Sequence, residues 1–259
     1  MYMDDYDKLP AVRRSLLWEL KKSPAHFKWA AEGEGIDEET PALRLGTIIH
    51  MCVLEFSKYS DHYKVAPSCD RRTKEGKARY QEFLDSLLPD QEAITYDEHD
   101  QAMQMHHAVM EDPYASKFFY QFRPEQIYVW TDPETGEACK IKADAVTEID
   151  GQDVLIDFKT TDSCQDGHFE RSVKKYGYQL QAGMYCEGYF ANTYREPRFV
   201  FVAQEKKPPY ACRVYECDPY FIQQGKDEFH RLLQIYHRCK EKDEWPGYMP
   251  TELLGDDYG

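Results

Sequence analysis

Among the 259 residues, the feature that most restricts the fold is a pair of apolar, β-branched runs, Lys140 to Ile149 and Val154 to Thr160, divided by Asp150-Gly151. Asp-Gly suits a tight hairpin turn because both residues tolerate positive φ, so the two runs read as antiparallel neighbours. In that pairing, residues whose numbers sum to about 301 stand opposite one another. A third run, Gln126 to Trp130, precedes them across Asp132-Pro133 and Gly136, and completes a three-stranded meander.

Helical patterns surround the meander. Ahead of it, helices are expected from about Ala11 to Trp29, Leu45 to Phe56, Lys74 to Leu88 with Thr73 as cap, and Glu98 to Met110, ending before Asp112-Pro113. After it come a helix from Tyr178 to Asn192 and strands Arg198 to Gln204 and Ala211 to Glu216, joined through Pro208-Pro209. A long amphipathic helix then runs from Pro219 to about Lys240. This order predicts an α/β fold of the mixed α+β kind, a central mixed sheet flanked by helices with a helical N-terminal region. One domain is expected over residues 1–259: a mainly helical part (1–120), a sheet core with the active site (121–218), a closing helix (219–242) and a tail (243–259). The acidic end, Leu254 to Gly259, reads as a loose terminus.

Charge narrows the function. A net charge of -15 argues against a protein that coats nucleic acid non-specifically, since such binding rests on cations that displace counterions from phosphates. Any DNA contact must be local. Arg71, Arg72, Lys74, Lys77 and Arg79 form the one dense basic run, and it reads equally as a DNA contact or as the solvated start of a helix. Arg171, Lys174 and Lys175 form a weaker set. The eight cysteines have no Cys-x-x-Cys spacing, which disfavours a tetrahedral zinc site or a disulfide framework and leaves them as reduced, mostly buried thiols. No run approaches the ~18 apolar residues of a membrane span. The first residues lack the pattern of a secretory signal, so a cytoplasmic protein is expected.

The hairpin carries the chemistry. Asp157 and Lys159 are two apart on a strand and share a face, while Ile156 and Phe158 take the other. The hairpin register sets Asp144 across from Asp157. Two carboxylates that hold Mg²⁺ or Mn²⁺ beside a lysine suit phosphodiester hydrolysis, in which the metal polarises the phosphoryl group and activates water while the lysine supports the developing charge. Taken alone, Asp-x-Lys fits a salt-bridged edge strand better. Two further features tip the balance. Gly46 and His50 form Gly-x-x-x-His on an apolar helix, where the glycine would permit close approach and the imidazole could reach a metal. Gln181 and Tyr185 lie one helical turn apart on a second helix.

Gly-x-x-x-His, Asp, Asp-x-Lys and Gln-x-x-x-Tyr, in this order and these settings, resemble the RecB-type branch of the PD-(D/E)xK nucleases with its restriction-endonuclease-like core. Ser23-Pro24-Ala25-His26, the phrase Cys69 to Lys77 and Asp157-Phe158-Lys159-Thr160-Thr161 narrow the resemblance to the RecE (exonuclease VIII) family of nuclease domains, over nearly the whole chain. The resemblance implies His50, Asp144, Asp157 and the Phe158 carbonyl as metal ligands and Lys159 as the catalytic lysine, with Gln181 and Tyr185 as the helix motif. It also implies a Mg²⁺-dependent (or Mn²⁺-dependent) exodeoxyribonuclease that degrades double-stranded DNA ends 5′ to 3′. Such an enzyme leaves 3′ single strands for an annealing protein of the RecT kind, in phage or prophage recombination, and assembles as a homo-oligomeric ring, a tetramer in the type case. Arg71, Arg72, Lys74 and Lys77 would then line a basic lumen. Glu55, five residues past His50, is a weaker candidate that helical geometry should turn away. The iron-sulfur cluster of some relatives is not expected, because Cys212, Cys217 and Cys239 are too widely spread. A structure-specific endonuclease or flap nuclease remains an alternative, and a catalytically silent DNA-end-binding scaffold a more distant one.

Overall fold

The computed structural model describes residues 3–33 and 40–248; the expected loose end at 254–259 lies outside the described residues. Helix α1 (Met3–Lys8) precedes a two-residue strand β1 (Val12–Arg13) and helices α2 (Arg14–Leu20) and α3 (Pro24–Ala31). The single helix expected from Ala11 to Trp29 is therefore corrected. Pro24 has no amide to donate to a preceding turn, and Ser23 opens a new helix by accepting from the His26 amide. Helix α4 (Pro41–Leu54) starts at a Thr40 cap and stops before Glu55, and Phe56 opens α5 (Phe56–His62).

A strand β2 (Tyr63–Val65), helix α6 (Lys74–Asp85), strand β3 (Glu92–Ile94) and helix α7 (Tyr96–Glu111) follow. Thr73 caps α6 through the Gly76 amide, as expected. A reciprocal Thr95–Glu98 capping box starts α7, which ends before Asp112-Pro113. The parallel pair β2–β3 was not anticipated, since three-residue strands are too short to show alternation.

The meander is present as β4 (Arg123–Thr131), β5 (Ala138–Ile149) and β6 (Gln152–Thr161), with antiparallel neighbours. The β5–β6 register pairs Ala145 with Ile156 and Ile149 with Gln152, as the hairpin arithmetic requires. Helices α8 (His168–Tyr176) and α9 (Tyr178–Thr193) cross over to β7 (Arg198–Glu205), which runs parallel to β6, and β8 (Cys212–Glu216) closes the sheet antiparallel to β7. Helix α10 (Pro219–Lys242) opens on an Asp218 cap. One face of the sheet buries Ile156, Phe158, Val200 and Val202 under α4 and α7. The other buries Leu155, Phe199 and Phe201 under α8 and α9, and α10 backs α9 against Trp130, Cys139 and Ile141.

One edge of β5 belongs to β4 from Ala138 to Val146. The opposite edge is shared: β6 pairs with residues 145 to 149 and β1 with Cys139 and Lys140. Between these ladders the edge stands open, and this gap is where a site can form. The helix that covers it, α9, is held at backbone contact with α10: a Cβ on Gly183 would lie 2.2 Å from the Gly225 carbonyl carbon, and one on Gly225 1.9 Å from the Gln179 oxygen. Neither main chain can give way without moving its helix. Gly183→Ala is therefore expected to cost about 2–3 kcal/mol of stability, read as a lowered urea midpoint at unchanged slope.

Candidate active site

At the open edge the pleat of β5 slips. Cys139, Ile141 and Ala143 face the α9–α10 side, Ala145 faces α4, and Val146 returns to the α9 side, so the alternation breaks at Asp144. Opposite the slip, Glu125 takes a positive φ of 52° between the paired residues Pro124–Ala145 and Gln126–Ala143. Such local distortion re-aims a side chain and ends pairing. Asp144 Oδ2 accepts from the Phe158 amide at 2.9 Å, in place of the next ladder bond, and stands 3.0 Å from His50 Nε2. A strand residue presents its amide and carbonyl to the same edge, so the Phe158 carbonyl also faces the gap.

Asp157 is 1% exposed. Its Oδ1 accepts from Gln181 Nε2, and its Oδ2 lies 2.5 Å from Lys159 Nζ in a close ion pair. Lys159 Nζ also sits 5.1 Å from the Tyr178 ring centre. His50, Asp144, Asp157, Phe158, Lys159, Gln181 and Tyr185, all singled out in the sequence, line one cleft of about 630 Å³. The oxygen-rich set with one imidazole fits a hard divalent cation, with Asp144 and Asp157 as its carboxylate donors.

Electrostatics sort these groups. Burial pushes the Asp157 carboxyl up, to about 6, against the pull of Lys159, and the charge of Asp144 adds to the rise. For Asp144 burial acts in the same sense, but His50, Lys159 and the Phe158 amide outweigh it and hold the carboxyl below its usual range. Burial disfavours the charged form of His50, yet Asp144 and then Glu125 raise its pKa overall. Lys159 is likewise opposed by burial and raised by Asp157 and Asp144. Burial lifts Tyr185 well above the ordinary phenol value.

Several cleft residues were not anticipated. Glu125 holds Lys142 Nζ at 2.5 Å and lies 3.8 Å from His50 Nδ1. The register arithmetic that placed Asp157 would have found Glu125 had it been applied to the first turn of the meander. Arg14 donates to the Tyr176 and Gly177 carbonyls while its buried Nε has no hydrogen-bond partner among the described residues. No spacing motif marks it.

Two readings need correction. Gly46 makes no close helix contact: among the described residues nothing lies within 4 Å of a Cβ built there, so it widens the cleft instead of admitting a neighbour. Glu55 is not turned away, because α4 ends at Leu54 and leaves it in the cleft wall, paired with Lys58. Arg71, Arg72, Lys74 and Lys77 are exposed at the start of α6 and do not line the cleft. Four cysteines are buried and four half-buried, all as free thiols.

Cation binding requires Asp157 and His50 to be deprotonated, and both hold their protons to higher pH than usual. Mn²⁺ affinity is thus expected to fall at least about tenfold per pH unit below pH ~6, with protons released on binding, by calorimetry in buffers of differing ionisation enthalpy. A flat affinity across that range would remove Asp157 from the metal.

The fold has known counterparts. A candidate exonuclease from Eubacterium rectale aligns with a TM-score of 0.63 at 17% identity, covering 94% of this chain and 85% of that one. An alkaline exonuclease from Laribacter hongkongensis aligns at 12% identity over 92% and 95% of the two chains, with a TM-score of only 0.32. No functionally curated protein matches the sequence. The model of one family, described as a PDDEXK-like domain of unknown function (DUF3799), matches residues 14–252, and the chain belongs to that family.

Proposed function

We propose that this protein is a divalent-metal-dependent exodeoxyribonuclease that degrades double-stranded DNA from its ends, 5′ to 3′. The observation that carries the reading is the Lys159–Asp157 ion pair in the cleft that also holds Asp144 and His50. Edge-strand salt bridges are common, but a second carboxylate that replaces a ladder bond and a buried third-party glutamine on Asp157 have no purpose in one. His50, Asp144, Asp157 and the Phe158 carbonyl would hold the cation, Mg²⁺ or Mn²⁺. When bound, it supplies Lewis-acid polarisation of the phosphate and a water of lowered pKa.

The chain's own groups do the rest. Lys159 stands where it can orient the attacking water and offset charge on the phosphate. Gln181 fixes the rotamer of Asp157, and Tyr185 borders the phosphate path. Arg71, Arg72, Lys74 and Lys77 offer an exposed cationic strip for the duplex, in a lumen if the protein assembles as a ring. The 3′ strand left behind would pass to an annealing protein of the RecT kind.

Digestion of linear duplex labelled at the 5′ or the 3′ end, beside a closed circle, tests this. Early loss of the 5′ label from linear DNA alone, abolished by EDTA and by Asp157→Ala, is expected, and Lys159→Ala should slow it about 10²–10³-fold. Cutting of the circle would instead establish an endonuclease. Arg72→Ala with Lys74→Ala is expected to weaken DNA binding and lower the salt slope by about 2 while Mn²⁺ affinity is unchanged. An unaltered slope would take the strip off the DNA path.

A further inference from the structure

Outside the cleft, three side chains from three elements converge. Asp132 directly follows β4 and is completely buried. Its Oδ1 accepts from the Thr135 amide at 2.8 Å and the Thr135 hydroxyl at 2.6 Å, which fixes the carboxylate. Among the described residues its Oδ2 has no hydrogen-bond partner, and it lies 3.7 Å from Nδ1 of His230 on α10. His230 Nε2 lies 2.9 Å from Glu187 Oε2 on α9. One ligand atom from each residue falls within 4.8 Å of the other two. None of the three lines the catalytic cleft.

A neighbouring cluster shows what is missing here. Two turns along α10, Glu137 has both oxygens partnered, by His237 Nδ1 at 3.0 Å and Lys240 Nζ at 2.5 Å. At Asp132 and Glu187 no lysine or arginine forms an ion pair among the described residues, and Lys226, one turn before His230, pairs with Glu196. A single imidazole, even protonated, cannot neutralise two carboxylates. An enclosed carboxylate oxygen without a partner is costly, and a cation removes that cost.

We infer that Asp132, Glu187 and His230 form a second divalent-cation site, suited to Zn²⁺, that ties the β4–β5 turn to α9 and α10. One nitrogen and two oxygens, with water as fourth ligand, match zinc better than Mg²⁺, which prefers all-oxygen octahedral shells. Bonds of about 2.1 Å set tetrahedral ligand atoms roughly 3.4 Å apart, against separations of no more than 4.8 Å in the triad.

Zinc chloride titration of the full chain carrying Asp144→Asn and Asp157→Asn removes the two carboxylates assigned to the catalytic cation, and the variants below isolate the contribution of this site. One bound equivalent is expected, with an unfolding midpoint raised by zinc and restored by EDTA. Adding His230→Gln should weaken Zn²⁺ binding at least about tenfold and abolish the midpoint shift. Glu187→Gln, whose amide oxygen can still accept from His230, should lose the zinc response while the metal-free midpoint stays at that of its parent, which separates lost ligation from misfolding. No zinc bound by the parent, or equal binding after His230→Gln and Glu187→Gln, would overturn the site.

Discussion

The bond from the Phe158 amide to the Asp144 carboxylate is the interaction on which the rest of the site depends. A strand amide buried without a partner is costly, so β6 can leave β5 before its end only if something else accepts from residue 158. Asp144 does so, and the same oxygen holds His50. The departure of β6 is what leaves an edge free, and β1 takes up the far part of that edge. A hairpin that paired to its full length would have no gap between Asp144 and Asp157, and hence no cleft.

Asp157 shows how an awkward group is kept. It lies on the α9 face of the sheet, almost wholly enclosed, where an isolated carboxylate would take a proton instead of a charge. Lys159 and Gln181 lower that penalty without removing it, which is why its pKa remains raised. Gln181 can reach it because α9 lies flat on the sheet, pressed there by α10 through Gly183 and Gly225. Packing far from the cleft and charge inside it are thus linked by one helix.

The hairpin and the Asp144, Asp157 and Lys159 set were legible because strand chemistry is local: an Asp-Gly turn fixes a register, and a register fixes faces. His50, Gln181 and Tyr185 were legible as spacings, and their meeting in one cleft is a matter of tertiary packing. The break at Ser23-Pro24 was readable as a cap and a proline, yet the apolar periodicity on either side masks it. Arg14 was not legible, since nothing local distinguishes a helix-start arginine that folds back over a cleft from one in solvent. Gly46 was misread because a helical glycine signals either close contact or open space, and the sequence does not say which.

Charge in the cleft resolves an apparent conflict between an acidic protein and a polyanionic substrate. The chain carries -15 overall, but the cleft lining among the described residues holds Arg13, Arg14, Lys142 and Lys159 against Glu55, Glu125, Asp144 and Asp157. With His50 neutral these cancel. A cation bound by the carboxylates would make the cleft net positive, and low-dielectric walls would focus that field on an entering phosphate. The surplus negative charge lies elsewhere, where it repels nucleic acid. The same acidic balance that excludes non-specific coating therefore favours entry at one place.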